Sequence, residues 1–200
     1  TITASALVKM FEDDYGLETL IICPKNLTEM WEDYKHEYQL RAKVISITNV
    51  HNTLEEERRY RIVVIDESHN LRNREGKRYA FVRDYIERNE SKVILLTATP
   101  YNKSYMDLSN QLRLFIPDDH LLGISPDKYI ESIGGITNFN ADHQVNENTL
   151  PAFEKSPFTE DWQQLMSQYL VRRTRNFIKE NYTNIDTETG KKYLSFSDGR

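Results

Sequence analysis

Four short aliphatic runs set the strongest constraint on what this chain can fold into: Leu20-Ile21-Ile22-Cys23, Val44-Ile45-Ser46-Ile47, Ile62-Val63-Val64-Ile65 and Val93-Ile94-Leu95-Leu96. Each is too brief for a helix and rich in side chains that favour strands. They lack the polar alternation of a sheet with one wet face. Both faces are therefore expected to be covered, as in parallel strands joined by crossover helices. The segments between them supply those helices. Leu7, Val8, Met10 and Phe11 mark one apolar face, Leu27, Met30, Trp31 and Tyr34 a second, and Tyr79, Val82, Tyr85 and Ile86 a third. A polar, charged stretch from Asn49 to Arg59 separates the second and third strands. The expected fold class is α/β with a parallel sheet.

Beyond Thr99-Pro100 the character changes to helices, with Leu108, Leu112 and Phe115 at helical spacing before a break at Pro117-Asp118-Asp119. Residues 135–157 are expected to form a long loop, because they hold Gly135, several asparagines, Pro151 and Pro157 and no apolar period. Trp162, Leu165, Met166, Tyr169 and Leu170 define an amphipathic helix expected to pack against the sheet domain. The expected organisation is a sheet domain over 1–118, a helical extension over 119–182 and a polar tail over 183–200.

Composition removes several classes of function. With 38% hydrophobic and 28% charged residues the chain can bury a core and keep an ordinary wet surface, which argues against global disorder. One cysteine, Cys23, gives neither a disulfide nor a thiolate metal site, so a reducing, cytoplasmic setting is expected, nucleoid-associated or nuclear locations included. No run is long and apolar enough to span a bilayer, and no membrane partner is expected. A net charge of −5 opposes the basic field of a simple nucleic-acid-binding domain, so any such contact must be local. Candidate basic clusters are Arg58-Arg59-Tyr60-Arg61, Arg72 to Arg78, and Arg172-Arg173-Thr174-Arg175 with Lys179; the alternative for each is a solvated charged face.

Chemistry concentrates where strands end, since open parallel sheets bind ligands outside their carboxyl edge. The third run exits into Asp66-Glu67-Ser68-His69. An Asp there can hold Mg²⁺, directly or through water, and the following Glu can orient and deprotonate a water that attacks a γ-phosphate. The same acidic pair could instead be a helix cap with an acidic first turn. The fourth run exits into Thr97-Ala98-Thr99-Pro100, whose hydroxyls could relay nucleotide state toward another surface. The other four histidines have no metal-ligand spacing.

Together these pieces resemble the first RecA-like lobe of superfamily-two helicases and translocases, especially the Swi/Snf-like branch, over about residues 1–120 and again within 155–180. Asp66-Glu67-Ser68-His69 resembles the DEAH-type box, and Leu96-Thr97-Ala98-Thr99-Pro100-Tyr101-Asn102 resembles motif III. Leu20 to Leu27, followed by Trp31, resembles motif Ia; Leu170-Val171-Arg172-Arg173-Thr174-Arg175 resembles a segment that Swi/Snf-like proteins carry after this lobe. The resemblance implies a three-layer P-loop NTPase lobe using ATP and Mg²⁺. It implies Asp66 as the Mg²⁺ carboxylate, Glu67 as general base, and His69, Thr97 and Thr99 as the coupling between phosphate state and nucleic-acid contact. Pro24, Lys25 and Asn26 would lie against the tracked strand. The implied partners are double-stranded DNA and a second RecA-like lobe.

Three departures qualify this picture. The family's Gly-rich loop ending in Gly-Lys-Thr or Gly-Lys-Ser is absent from these residues; Thr1-Ile2-Thr3-Ala4 resembles the sequence just after it, which makes Thr1 the expected Mg²⁺-binding Thr. No second lobe follows residue 120, and with it the arginine finger is missing. The chain by itself is therefore expected to be inactive. The third departure, Ser68 for the commoner Ala, is small. Two other readings compete: a phosphoacceptor signalling module, which lacks its early acidic pair and final Lys-Pro here, and a degenerate RecA-like scaffold without catalysis, which has no need of the Asp66-Glu67 pair.

Overall fold

A computed structural model describes residues 2–102, 104–171, 183–185 and 192–194. The chain divides into two compact units, Thr1–Asp161 and Trp162–Arg200. The first is built on four parallel strands, β1 (Thr19–Cys23), β2 (Ala42–Ser46), β3 (Ile62–Asp66) and β4 (Lys92–Leu96), in the order β2-β1-β3-β4. Every residue of the central strands β1 and β3 is buried, as their unbroken aliphatic content predicts. The outer strands are only partly covered.

Period-two alternation splits each strand between two cores. Leu20, Ile22, Val63 and Ile65 face one side, where they meet Val50, Leu54, Tyr79, Val82, Tyr85 and Ile86. Ile21, Cys23, Ile62 and Val64 face the other, against Ala4, Val8, Trp31 and Leu40. The helices on the second face are α1 (Ile2–Tyr15) and α2 (Thr28–Glu37), and those on the first are α3 (Val50–Thr53) and α4 (Lys77–Asn89). The result is the three-layer α/β arrangement expected from the strand pattern.

Three details depart from the sequence expectations. In α1 the buried stripe is Ala4, Ser5, Val8 and Glu12, whereas Leu7 and Met10 are exposed. Helical geometry turns the i, i+4, i+8 positions inward regardless of their size. The polar stretch after β2 contains α3, whose Val50 and the following Leu54 are fully buried one turn apart. Residues 135–157 are not one long loop, since they hold α7 (Ile136–His143) and α8 (Leu150–Phe153). Their buried residues, Phe139, Leu150, Ala152 and Phe153, are too sparse to show a period.

This segment follows α5 (Met106–Leu112) and α6 (Asp127–Ser132). Gly135, at φ +105°, makes the turn between α6 and α7 in a conformation that side chains rarely adopt. The buried Asp161 carboxylate accepts the Lys128 and Tyr129 amides, at 2.9 and 3.1 Å, and so satisfies free donors in the first turn of α6. The expected boundary at 118 falls inside the first unit. In the second unit, β5 (Thr183–Ile185) pairs antiparallel with β6 (Lys192–Leu194), within the segment expected to be a polar tail. Helix α9 (Thr159–Tyr169) crosses the boundary between units. Among the described residues no helix is long and apolar enough to cross a membrane.

Glu12 is 1% exposed, and neither of its carboxylate oxygens has a hydrogen-bond partner among the described residues. Burial raises its pKa above 4.5, against the opposing pull of Arg41 and Lys9. A raised carboxylate stabilises the fold fully below its unfolded value, and that contribution is lost as pH rises through the folded value. Glu12→Gln is therefore expected to increase the stability of the chain at neutral pH and to flatten its decline above about pH 4.5. Urea unfolding midpoints across pH 4 to 8 check this.

Candidate functional site

The chain moves outward from β1 to β2, then returns to lay β3 on the opposite side of β1. The crevice beyond the carboxyl ends of β1 and β3 is thus a topological switch point, where α/β sheets bind ligands. Ile22 pairs with Ile65 and Asp66 with Leu96, so Pro24, Glu67 and Thr97 all emerge at one edge of the sheet.

Asp66 ends β3 and is 8% exposed. Both of its oxygens are held: Oδ2 accepts the Trp31 indole N–H at 2.9 Å and Oδ1 accepts the Glu67 amide at 2.9 Å. Glu67 takes the left-handed conformation, φ 50° and ψ 49°. For a side-chain-bearing residue this stores on the order of 1–3 kcal/mol, and such strain clusters at functional sites. It ends the strand abruptly and starts a 3-10 turn at Ser68–Leu71. Glu67 Oε2 is shielded from solvent with no hydrogen bond among the described residues, although His69 Nδ1 lies 3.2 Å away. The same Nδ1 is 3.3 Å from Thr97 Oγ1, which in turn accepts the Thr99 amide at 3.1 Å.

A second link joins the two loops. The Ser68 hydroxyl donates to Gln111 Oε1 at 2.8 Å, while Gln111 Nε2 donates to the Pro100 carbonyl at 2.6 Å and the Asp107 carbonyl at 3.0 Å. Asn110 donates to the Arg72 carbonyl at 2.8 Å. Helix α5 thereby ties the Asp66 loop to the loop after β4. Ser68, where Ala is commoner, has a physical partner in Gln111. Neither Gln111 nor the reach of Trp31 to Asp66 was legible as function in the sequence. The available signal for Trp31 was that a buried indole N–H must find an acceptor.

Of the expected site residues, Asp66, Glu67, His69, Thr97 and Thr99 come together. Pro24 stands beside them at the end of β1, where it precedes the 3-10 turn Lys25–Leu27, and the side chains of Lys25 and Asn26 are exposed. Thr1 and the segment Arg172 to Arg175 with Lys179 lie outside the described residues. The Arg58-Arg59-Tyr60-Arg61 cluster precedes β3 and so sits at the opposite edge of the sheet. Its cations are paired, Arg58 with Glu18 and both Arg59 and Arg61 with Glu90. That is a solvated ionic face.

The donor set bears on which ions fit. Cys23 is buried, and desolvation, then the charges of Asp66 and Glu32, push its thiol up to about 12, so it is no thiolate ligand. Among the described residues no three His, Cys, Asp or Glu side chains converge on one point. What the site offers is one oriented carboxylate with two free lone-pair positions and a second carboxylate, that of Glu67, beside it. This suits Mg²⁺, which takes one or two carboxylates and fills its remaining positions with water and substrate phosphate.

An acidic strand exit at the switch point of a parallel, three-layer sheet defines the class: a RecA-like α/β lobe. No family model matches the chain. A curated relative named as an uncharacterized ATP-dependent helicase, YqhH of Bacillus subtilis (strain 168), is 27% identical over 130 residues, which is 65% of this chain and 19% of that protein. A solved structure of the Sulfolobus solfataricus SWI2/SNF2 ATPase core in complex with dsDNA matches 94% of this chain and 42% of that one, with a TM-score of 0.57 at 18% identity. The chain shares the fold of that ATPase core and spans about a fifth of the curated relative's length.

The Gln111 side chain satisfies the buried Ser68 hydroxyl and the partly buried Pro100 carbonyl, so its removal leaves both unpaired. Gln111→Ala is expected to lower the unfolding free energy by about 1–3 kcal/mol, as measured by denaturant titration.

Proposed function

We propose that this chain is the first RecA-like lobe of an ATP-driven DNA translocase of the Swi/Snf kind, with hydrolysis centred on Asp66 and Glu67. One observation carries the reading: an oriented Asp and a strained, partly exposed Glu stand at the switch point, bridged through His69 to Thr97. In this reading Asp66 holds Mg²⁺ through water. The ion, arriving with the triphosphate, supplies neutralisation of charge on the β- and γ-phosphate oxygens.

Glu67 orients the attacking water and accepts its proton at its carboxylate. His69 and Thr97 sense that change, and Thr99 and Pro100 carry it along the loop after β4. Pro24, Lys25 and Asn26, at the same edge, touch the phosphate backbone of double-stranded DNA. A net charge of −5 confines that contact to such local groups. Thr1 is proposed as the hydroxyl that completes the Mg²⁺ site, and a second RecA-like lobe as the source of an arginine finger.

In the full-length protein, Glu67→Gln is expected to retain ATP binding and lose roughly 10²–10⁴-fold in hydrolysis, the contribution of a positioned base. Phosphate release and filter binding of labelled ATP measure the two; a wild-type rate removes Glu67 from the mechanism. Residues 1–200 by themselves are expected to show no ATPase activity, because an arginine finger alone accounts for about 10³–10⁵-fold. DNA-stimulated phosphate release from the isolated chain contradicts that.

A further inference from the structure

We propose that Trp31 is a positioning residue for hydrolysis: its indole N–H locks the Asp66 carboxylate in the one orientation that presents it to a metal ion. The inference rests on the reading of Asp66 given above and adds to it a residue from a different layer of the fold. Trp31 lies on α2, 35 positions before Asp66, and is fully buried. Its neighbours on the same apolar face, Leu27, Met30 and Tyr34, are only partly covered. Packing would be served by any large apolar ring at this position. What only Trp supplies is the N–H donor, and that donor ends on Asp66 Oδ2 at 2.9 Å.

The consequence is geometric. A carboxylate attached by a single bond is free to rotate unless both oxygens are tied. The Glu67 amide ties Oδ1 and the indole ties Oδ2, so rotation of the group breaks one or both bonds. At 8% exposure, water cannot readily replace a lost partner. Each oxygen keeps one unused lone-pair position. The amide partner belongs to the strained loop itself and shifts whenever Glu67 shifts. The indole belongs to a helix packed in the core, which makes it the rigid reference. A donor that orients a metal-holding carboxylate in this way sets metal affinity, whereas a packing residue sets only stability.

Two measurements in the full-length protein test this. Trp31→Phe keeps a buried ring and removes the donor. It is expected to raise the Mg²⁺ concentration for half-maximal ATPase about 10–100-fold, with the ATP KM at saturating Mg²⁺ essentially unchanged. The second leaves Trp31 in place, so it stands even if that variant folds poorly. With ¹⁵N-labelled tryptophan, the Trp31 indole signal is the one lost in Trp31→Phe. The Trp31 indole proton should move and exchange faster in Asp66→Ala, and should shift on addition of Mg²⁺ with ADP in the wild type but not in Asp66→Ala.

An indole signal indifferent to Asp66→Ala, or wild-type Mg²⁺ dependence in Trp31→Phe, overturns the role of Trp31 while Glu67→Gln remains inactive. Full hydrolysis by Glu67→Gln overturns the reading of the site itself, and the inference with it.

Discussion

The side-by-side pairing of β1 and β3 is the constraint on which the rest of this structure depends. Both strands are wholly buried, so they can exist only with helices on both faces, and those helices fix where each strand exit points. Because the chain goes out to β2 and returns to β3, the exits of β1 and β3 open a crevice between helices of opposite layers. Asp66 closes that crevice from β3 and Trp31 reaches it from α2. The hydrogen bond between them joins two segments far apart in the chain at the point where chemistry is concentrated.

Around this point the polar network extends outward through α5. Gln111 holds the Ser68 hydroxyl and the Pro100 carbonyl with one amide, and two residues further on Arg113 makes a forked pair with Glu154, both bonds 2.9 Å, while also meeting Asp118. Ser109 donates to the same Glu154 at 2.5 Å. Arg113 is 5% exposed, and its buried charge is met by two carboxylates. Residues 117–161 are thus attached to the sheet through the same helix that spans the two strand-exit loops. A shift in either loop therefore bears on one rigid element.

Charge is distributed in keeping with this division of labour. The Arg58 to Arg61 cluster is spent on ion pairs with Glu18 and Glu90 at the amino edge of the sheet. At the carboxyl edge, Lys25 and Asn26 stand exposed beside the acidic loop. Exposed pairs of the first kind contribute little to stability, and their effect is to cancel a basic field that composition alone leaves open.

What the sequence determined by itself was the class of fold and the location of its chemistry. Unalternated Val, Ile and Leu runs can be buried only between two layers of helices, and an Asp-Glu pair directly after such a run must lie at the carboxyl edge of the sheet. Short-range features of another kind were not legible. Phe139, Leu150 and Phe153 show no period, yet they are buried, and Ala4 with Glu12 displaced Leu7 and Met10 from the inner face of α1 because helix geometry outranks residue size. Only the tertiary structure decided the partners: that the indole of Trp31 ends on Asp66, that Gln111 answers Ser68, and that Arg58 to Arg61 face away from the site. A hydrogen bond needs an atom within about 3 Å in a narrow range of directions. Sequence spacing carries that information within a helix or a turn, but not between elements brought together by the crossing of a sheet.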